Sequence, residues 1–157
     1  MKKLLFISLM AILFASCTGE DGRDGRDGKD GVADWSIINV TILDGDWQLM
    51  GKVDEIGSYY YADVEINDLT DFVYKSGTVL SYLVYDDSGV AVKSGLPFVN
   101  LHGDIIDDGN GNPIEKYWTE TFTSDYLPGS MRFKVTLSDF YTNYRPGDKK
   151  FTVVLMW

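Results

Sequence analysis

The chain has 157 residues, 24 acidic and 14 basic, for a formal net charge of −10; 45% are apolar, 14% aromatic, and there is one cysteine and one histidine. That length suits one domain, and the scarcity of Cys and His excludes both an intrachain disulfide and a structural zinc site built from them. The acidic balance argues against a nucleic-acid partner, because phosphate binding depends on clustered Lys and Arg.

The sequence opens with the basic stretch Met1-Lys2-Lys3, then an apolar run from Leu4 to Ala15 broken only by Ser8. A membrane span needs about 20 apolar residues, so this shorter run predicts the hydrophobic region of a signal peptide over residues 1–16. It ends in Leu13-Phe14-Ala15-Ser16-Cys17, where small residues directly before a cysteine resemble a bacterial lipobox. That resemblance implies acylation of Cys17 and cleavage just before it by signal peptidase II. An ordinary secretory peptide and an uncleaved anchor are the alternatives. Loss of residues 1–16 would take Lys2 and Lys3 with it and leave a formal charge of −12. Several acyl chains on one residue would hold the remainder stably on a bilayer, since a single chain binds only marginally.

Glycine then recurs at every third position from Gly19 to Gly31, in triplets of the form Gly-X-Asp. This is the collagen period, which exists because only glycine fits the axis of a triple helix. The triplets contain no proline to lower the entropy cost of ordering three chains. Residues 17–34 are therefore expected to be a flexible linker, with a trimer-forming stalk as the rival reading.

From residue 35 to 157 the pattern has period two, with turn residues at short intervals. Ile38, Val40 and Ile42 alternate with Asn39 and Thr41. Tyr60, Ala62, Val64 and Ile66 alternate with Tyr59, Tyr61, Asp63 and Glu65, and Met131, Phe133, Val135 and Leu137 alternate with Arg132, Lys134, Thr136 and Ser138. Residues 78–85 are apolar on both faces and predict a central strand covered on both sides. Residues 151–157 predict a last strand. Asp68 to Ser76 alone can be helical, for one turn at most: Thr70 can cap it, Asp71 suits its first turn and Gly77 stops it. The expected fold is all-β: a single antiparallel β-sandwich of immunoglobulin-like character with about 7–9 strands over residues 35–157.

Three features together carry a family resemblance: a cysteine at a lipobox, the acids Glu20 and Asp21 shortly after it, and a few Gly-X-Asp triplets. The chain resembles surface lipoproteins of Bacteroidetes-type Gram-negative bacteria that carry a short collagen-like segment. Their small β-rich domain is matched by Tyr60-Tyr61-Ala62, Leu69-Thr70, Gly77-Thr78-Val79, Leu96-Pro97, and Pro146 ahead of Phe151 to Leu155. The resemblance implies a location, lipid-anchored in the outer membrane and exposed at the cell surface, and it implies no activity.

Candidate sites each have a plainer rival. Asp108, Asn110 and Asn112 place oxygen atoms at alternate positions, as a calcium loop does, beside Asp104, Asp107 and Glu115. The loop has Pro113 where an EF-hand needs glycine and Thr119 where it needs glutamate, and Asp-Gly and Asn-Gly are equally the residues of a tight hairpin turn. Weak Ca2+ binding and a plain turn both stand, and no other cofactor is expected. Tyr59 and Tyr61 share the polar side of their strand with Asp63 and Glu65, and Trp118 lies in a polar stretch. Such rings suit a glycan or a protein partner, or they stabilise the sheet. His102 could be oriented by Asp104, but no nucleophile motif accompanies it; a paired-carboxylate glycosidase stays open, and no enzyme is expected. The chain reads as a non-catalytic surface module for ligand binding or adhesion, or as a structural accessory subunit of an outer-membrane assembly.

Overall fold

The structure is a computed structural model that describes residues 33–157. The signal peptide over 1–16, Cys17 and the Gly-X-Asp triplets lie outside the described residues. Among the described residues nine strands build two antiparallel sheets. One sheet has the order β1-β9-β4-β5, with β1 Trp35–Ile42, β9 Lys149–Met156, β4 Thr78–Asp87 and β5 Val90–Gly95. The other has the order β2-β3-β8-β7-β6, with β2 Gln48–Met50, β3 Tyr59–Glu65, β8 Ser130–Leu137, β7 Pro113–Leu127 and β6 Phe98–Asp107. The protein is an all-β sandwich, immunoglobulin-like in its two antiparallel layers, with a strand order in which the first and last strands pair.

The period-two patterns fix which side chains the layers enclose. Met131, Phe133 and Val135 of β8 oppose Val64, Ala62 and Tyr60 of β3, all on the inner face. They pack against Phe151, Val153 and Leu155 of β9, and Val40 and Ile42 of β1 close the same core. Phe133 and Phe151 stack across the sandwich with ring centroids 4.2 Å apart. β9 lies between β1 and β4 and pairs with both along its length.

One helix, α1 (Asp71–Ser76), precedes β4 and is six residues long, somewhat more than the single turn its sequence suggests. Its punctuation follows the sequence. The Thr70 side chain accepts from the Val73 N–H, the Gly77 N–H donates to the Val73 carbonyl, and Lys75 pairs with Asp71 one turn earlier. Gly77 is required by a close approach, since a Cβ there would stand 2.6 Å from the Met156 carbonyl oxygen.

The doubly apolar stretch behaves differently from its expectation. β4 is indeed an inner strand of its sheet, and Leu83 faces the core. Its other face is open, however, with Leu80 exposed, because a two-layer sandwich has nothing to place outside its own sheet. Through the register, Leu80 joins Ile37 and Trp35 in one exposed apolar stripe across β4, β9 and β1.

The two ends of the sandwich differ. Asp34 and Trp157 exchange backbone hydrogen bonds (2.8 and 2.9 Å) at one end, beside the loop in which Asp68 accepts from the Ser36 hydroxyl. The opposite end carries a 3-10 turn (Asp44–Asp46), the β6–β7 hairpin tip, and the connection 138–148 that leads into β9.

Candidate functional site

The inner face of the five-stranded sheet continues past the core along the long β6–β7 hairpin. There His102 opposes Trp118, Asp104 opposes Lys116, and Asn100 opposes Glu120. The connection 138–148 faces this extension, and between them lies a cleft of about 500 Å³ walled by Trp118, His102, Lys116, Asp139, Tyr141 and Tyr144. This is the size at which pockets enclose small ligands.

The connection is held by reciprocal hydrogen bonds rather than by regular structure. The Asp54 N–H donates to the Thr142 hydroxyl and the Thr142 N–H donates back to the Asp54 carboxylate (2.9 and 2.8 Å), whose second oxygen accepts from the Asn143 side chain (2.6 Å). Asp54 adopts φ of +56°, a left-handed conformation that Asp tolerates better than most residues. The Tyr60 hydroxyl donates to the Thr142 carbonyl (2.6 Å), and burial lifts its pKa above the ordinary tyrosine value. The Trp47 indole donates to the Gly147 carbonyl (2.9 Å) from within the core. Tyr141 and Tyr144 are thereby presented on a fixed support, with Tyr144 75% exposed and its ring 6.0 Å from that of Tyr141.

Trp118 is a wall of the cleft, but its ring is already engaged. His102 stacks on it, 5.4 Å between centroids and 12° from parallel, and the Lys116 ammonium lies 5.8 Å from its centre. The same ammonium lies 5.6 Å from the Tyr141 ring and 2.9 Å from Asp139. Hydrogen bonding to Asp139 raises the Lys116 pKa. For Asp139, partial burial pushes the carboxyl upward, but bonds from Lys116 and the Tyr141 N–H outweigh it and leave the pKa lowered. The exposed rings of the cleft are those of Tyr144 and of Tyr141, the latter beside the Lys116 ammonium; sequence reasoning missed both. The available signal was three tyrosine or phenylalanine residues in Phe140 to Tyr144, a stretch with no strand periodicity between two strands.

The residues singled out in sequence fall into three separate places. Tyr59 and Tyr61 lie on the outer face of the five-stranded sheet, opposite to the face that bears Trp118, so the three do not form one platform. Tyr61 is partly covered: the Arg132 guanidinium lies 4.4 Å from its ring centre and makes a two-pronged pair with Asp63 (2.6 and 2.7 Å), while the Tyr61 hydroxyl donates to Gln48. That cross-strand arrangement is what stabilises a sheet surface. His102 Nε2 lies 3.4 Å from Glu120 and 3.3 Å from Asn100, so Glu120 rather than Asp104 is its carboxylate neighbour.

Asp108, Asn110 and Asn112 form the tip of the β6–β7 hairpin. One Asp108 oxygen accepts from the Asn110 and Asn112 N–H groups (2.7 and 3.1 Å), the other from the Asn112 side chain (3.0 Å), and Asp107 accepts from Gly109 and Gly111. A calcium ion would have to displace these donors from Asp108. Among the described residues no three His, Cys, Asp or Glu side chains converge as a metal site would require.

The bonds hold the Asp108 carboxyl at about 2, the Asn112 side chain contributing most, against 3.8 for a free aspartate. A carboxyl depressed in the folded state favours folding above its unfolded value, and that contribution fades as pH falls through the folded one. We therefore expect the amide resonances of Asn110 and Asn112 to hold their positions down to about pH 3 and to move with a midpoint near 2. A carbon-13 titration of Asp108 with its midpoint at the free-aspartate value would refute these bonds.

Compared with known proteins, the chain matches no family model, no curated protein and no solved structure.

Proposed function

We propose that the protein is a non-catalytic binding module of the cell surface, lipid-anchored to the outer membrane through Cys17, which takes a glycan or a protein segment into the cleft between Trp118 and Tyr144. The observation that carries this reading is the cleft's composition: two ligand-accessible tyrosines on a hydrogen-bonded support, beside acids and cations that can meet hydroxyl or peptide groups. Aromatic rings next to a few polar groups are the usual lining of recognition sites. The exposed apolar stripe of Trp35, Ile37 and Leu80 favours the second reading, an accessory subunit that buries this face against a membrane-protein partner.

A glycan array and a pull-down from detergent extracts, each run with wild type and with Tyr141→Ala/Tyr144→Ala, separate these readings. Loss of a glycan or peptide signal by at least about tenfold, with an unchanged melting curve, supports the cleft, tenfold being about 1.4 kcal/mol. Stoichiometric recovery of a membrane protein by both forms, lost on Ile37→Asp/Leu80→Asp, supports the accessory subunit. Mass spectrometry of native protein tests the anchor: a Cys17 peptide without lipid removes it.

A further inference from the structure

Among the described residues β6 is a free edge, hydrogen-bonded to β7 on one side only. An edge strand offers a row of unpaired N–H and C=O groups, and proteins blunt it with short strands, lysine, proline or a covering segment. Two of the other edges are blunted: β2 has three residues, and β5 has six and carries Lys93. The third, β1, has eight residues and is touched by the Asp68 loop only at the Ser36 side chain, so β6 is the longest open edge among the described residues. β6 has ten residues, Phe98–Asp107, without a lysine, arginine or proline among them; its charges are Asp104 on the inner face and Asp107 at its end. Beside that open edge its outer face exposes Val99 (55%), Leu101 (68%) and Ile105 (68%), with Tyr117 of β7 next to them.

We propose that β6 pairs with β6 of a second copy of this chain, antiparallel about a two-fold axis at Gly103, making one continuous sheet from two five-stranded ones. An axis perpendicular to the sheet keeps outer faces together and opposes residues equally far before and after Gly103. Leu101 then meets the partner's Ile105 on the outer face, and His102 meets the partner's Asp104 on the inner face, each contact occurring twice. Directly opposed side chains in antiparallel strands have Cβ atoms about 4.5–5.5 Å apart, within reach of both contacts. His102 uses only Nε2 within its own chain, while Asp104 Oδ1 accepts from the Ile105 N–H, an edge donor that it gives up to the partner's Leu101 carbonyl on pairing, which frees the carboxylate for the partner's His102. Moving the axis to Asp104 would set like charges against each other, and moving it to His102 would face that ring with its own copy. At Gly103 the strands meet without a side chain, and the Tyr117 ring lies over the vacancy, 2.9 Å from where a Cβ would stand.

Such an interface is small, so the association is concentration-dependent and is favoured where copies share one surface. This proposal does not depend on what fills the cleft or on acylation of Cys17. The test uses the full chain in detergent. Sedimentation equilibrium should show the protein mass rising toward twice the monomer value with concentration, and Leu101→Lys/Ile105→Lys should hold it at the monomer value with an unchanged melting curve. Under mild oxidation Leu101→Cys/Ile105→Cys should give a dimer whose disulfide joins positions 101 and 105. The two positions lie too far apart along one strand to bridge within a chain. Wild type carries Cys17 in every arm and sets the baseline, and each single variant should stay at it. A wild-type mass independent of concentration, cross-linking of the single variants as strong as that of the double, or a lysine variant that still associates would each overturn the pairing.

Discussion

Deleting residues 151–157 is expected to abolish folding, leaving a chain with neither a cooperative melting transition nor a strand-type far-ultraviolet spectrum. β9 sits between β1 and β4, so its loss removes both of their ladders and leaves β1 with no partner strand. It also removes Phe151, Val153 and Leu155, each at most 1% exposed. Fully burying a side chain of this size contributes about 1.5–3 kcal/mol, so three of them alone approach the 5–15 kcal/mol that stabilises a typical domain. Lys149 and Lys150, at the head of this apolar strand, flank it with charge, as suits a segment prone to pairing before it is docked. A soluble truncation that melts cooperatively would show that the sandwich closes without its last strand.

Phe133→Ala should cost about 3–5 kcal/mol by chemical denaturation, at the upper end of what a single core truncation produces. The ring is fully buried, stacks on Phe151 at 4.2 Å, and comes from the middle of β8, which has a neighbouring strand on each side. The backbone around it is pinned by ladders to β3 and β7 and cannot collapse into the space left behind. That is the circumstance in which the cavity adds most to the lost transfer free energy. Phe133→Leu keeps most of the volume and should cost clearly less. A loss below about 1 kcal/mol on Phe133→Ala would mean that the two sheets re-pack freely.

How far these features could be read from the residues depends on what periodicity encodes. Met131 to Leu137 gave both the strand and its buried side, because alternation within one strand states which side chains share a face. Thr70 and Gly77 marked the ends of α1 by local chemistry. Periodicity does not state which face of one strand continues into which face of another. Tyr59, Tyr61 and Trp118 could therefore be grouped by character in sequence, although the register sends them to opposite faces. Residues 78–85 looked enclosed because their apolar character cannot tell a third layer from an exposed stripe. The cleft was least visible of all. It depends on Tyr141 and Tyr144 in an irregular connection, positioned by Asp54, Tyr60 and Trp47 from distant parts of the chain.

The meeting of Asp34 with Trp157 has a mechanical consequence. The described domain begins at one end of the long axis of β1, while Tyr144 stands at the other. A tug between residue 33 and anything gripped by Tyr144 therefore runs lengthwise along β1. All pairs from Trp35 with Met156 to Ile42 with Lys149 are then strained in parallel and must give way together. Pulling residue 33 away from Trp157 would instead unzip the same pairs in succession. The sandwich should withstand traction in the first direction at forces that would readily peel it open in the second.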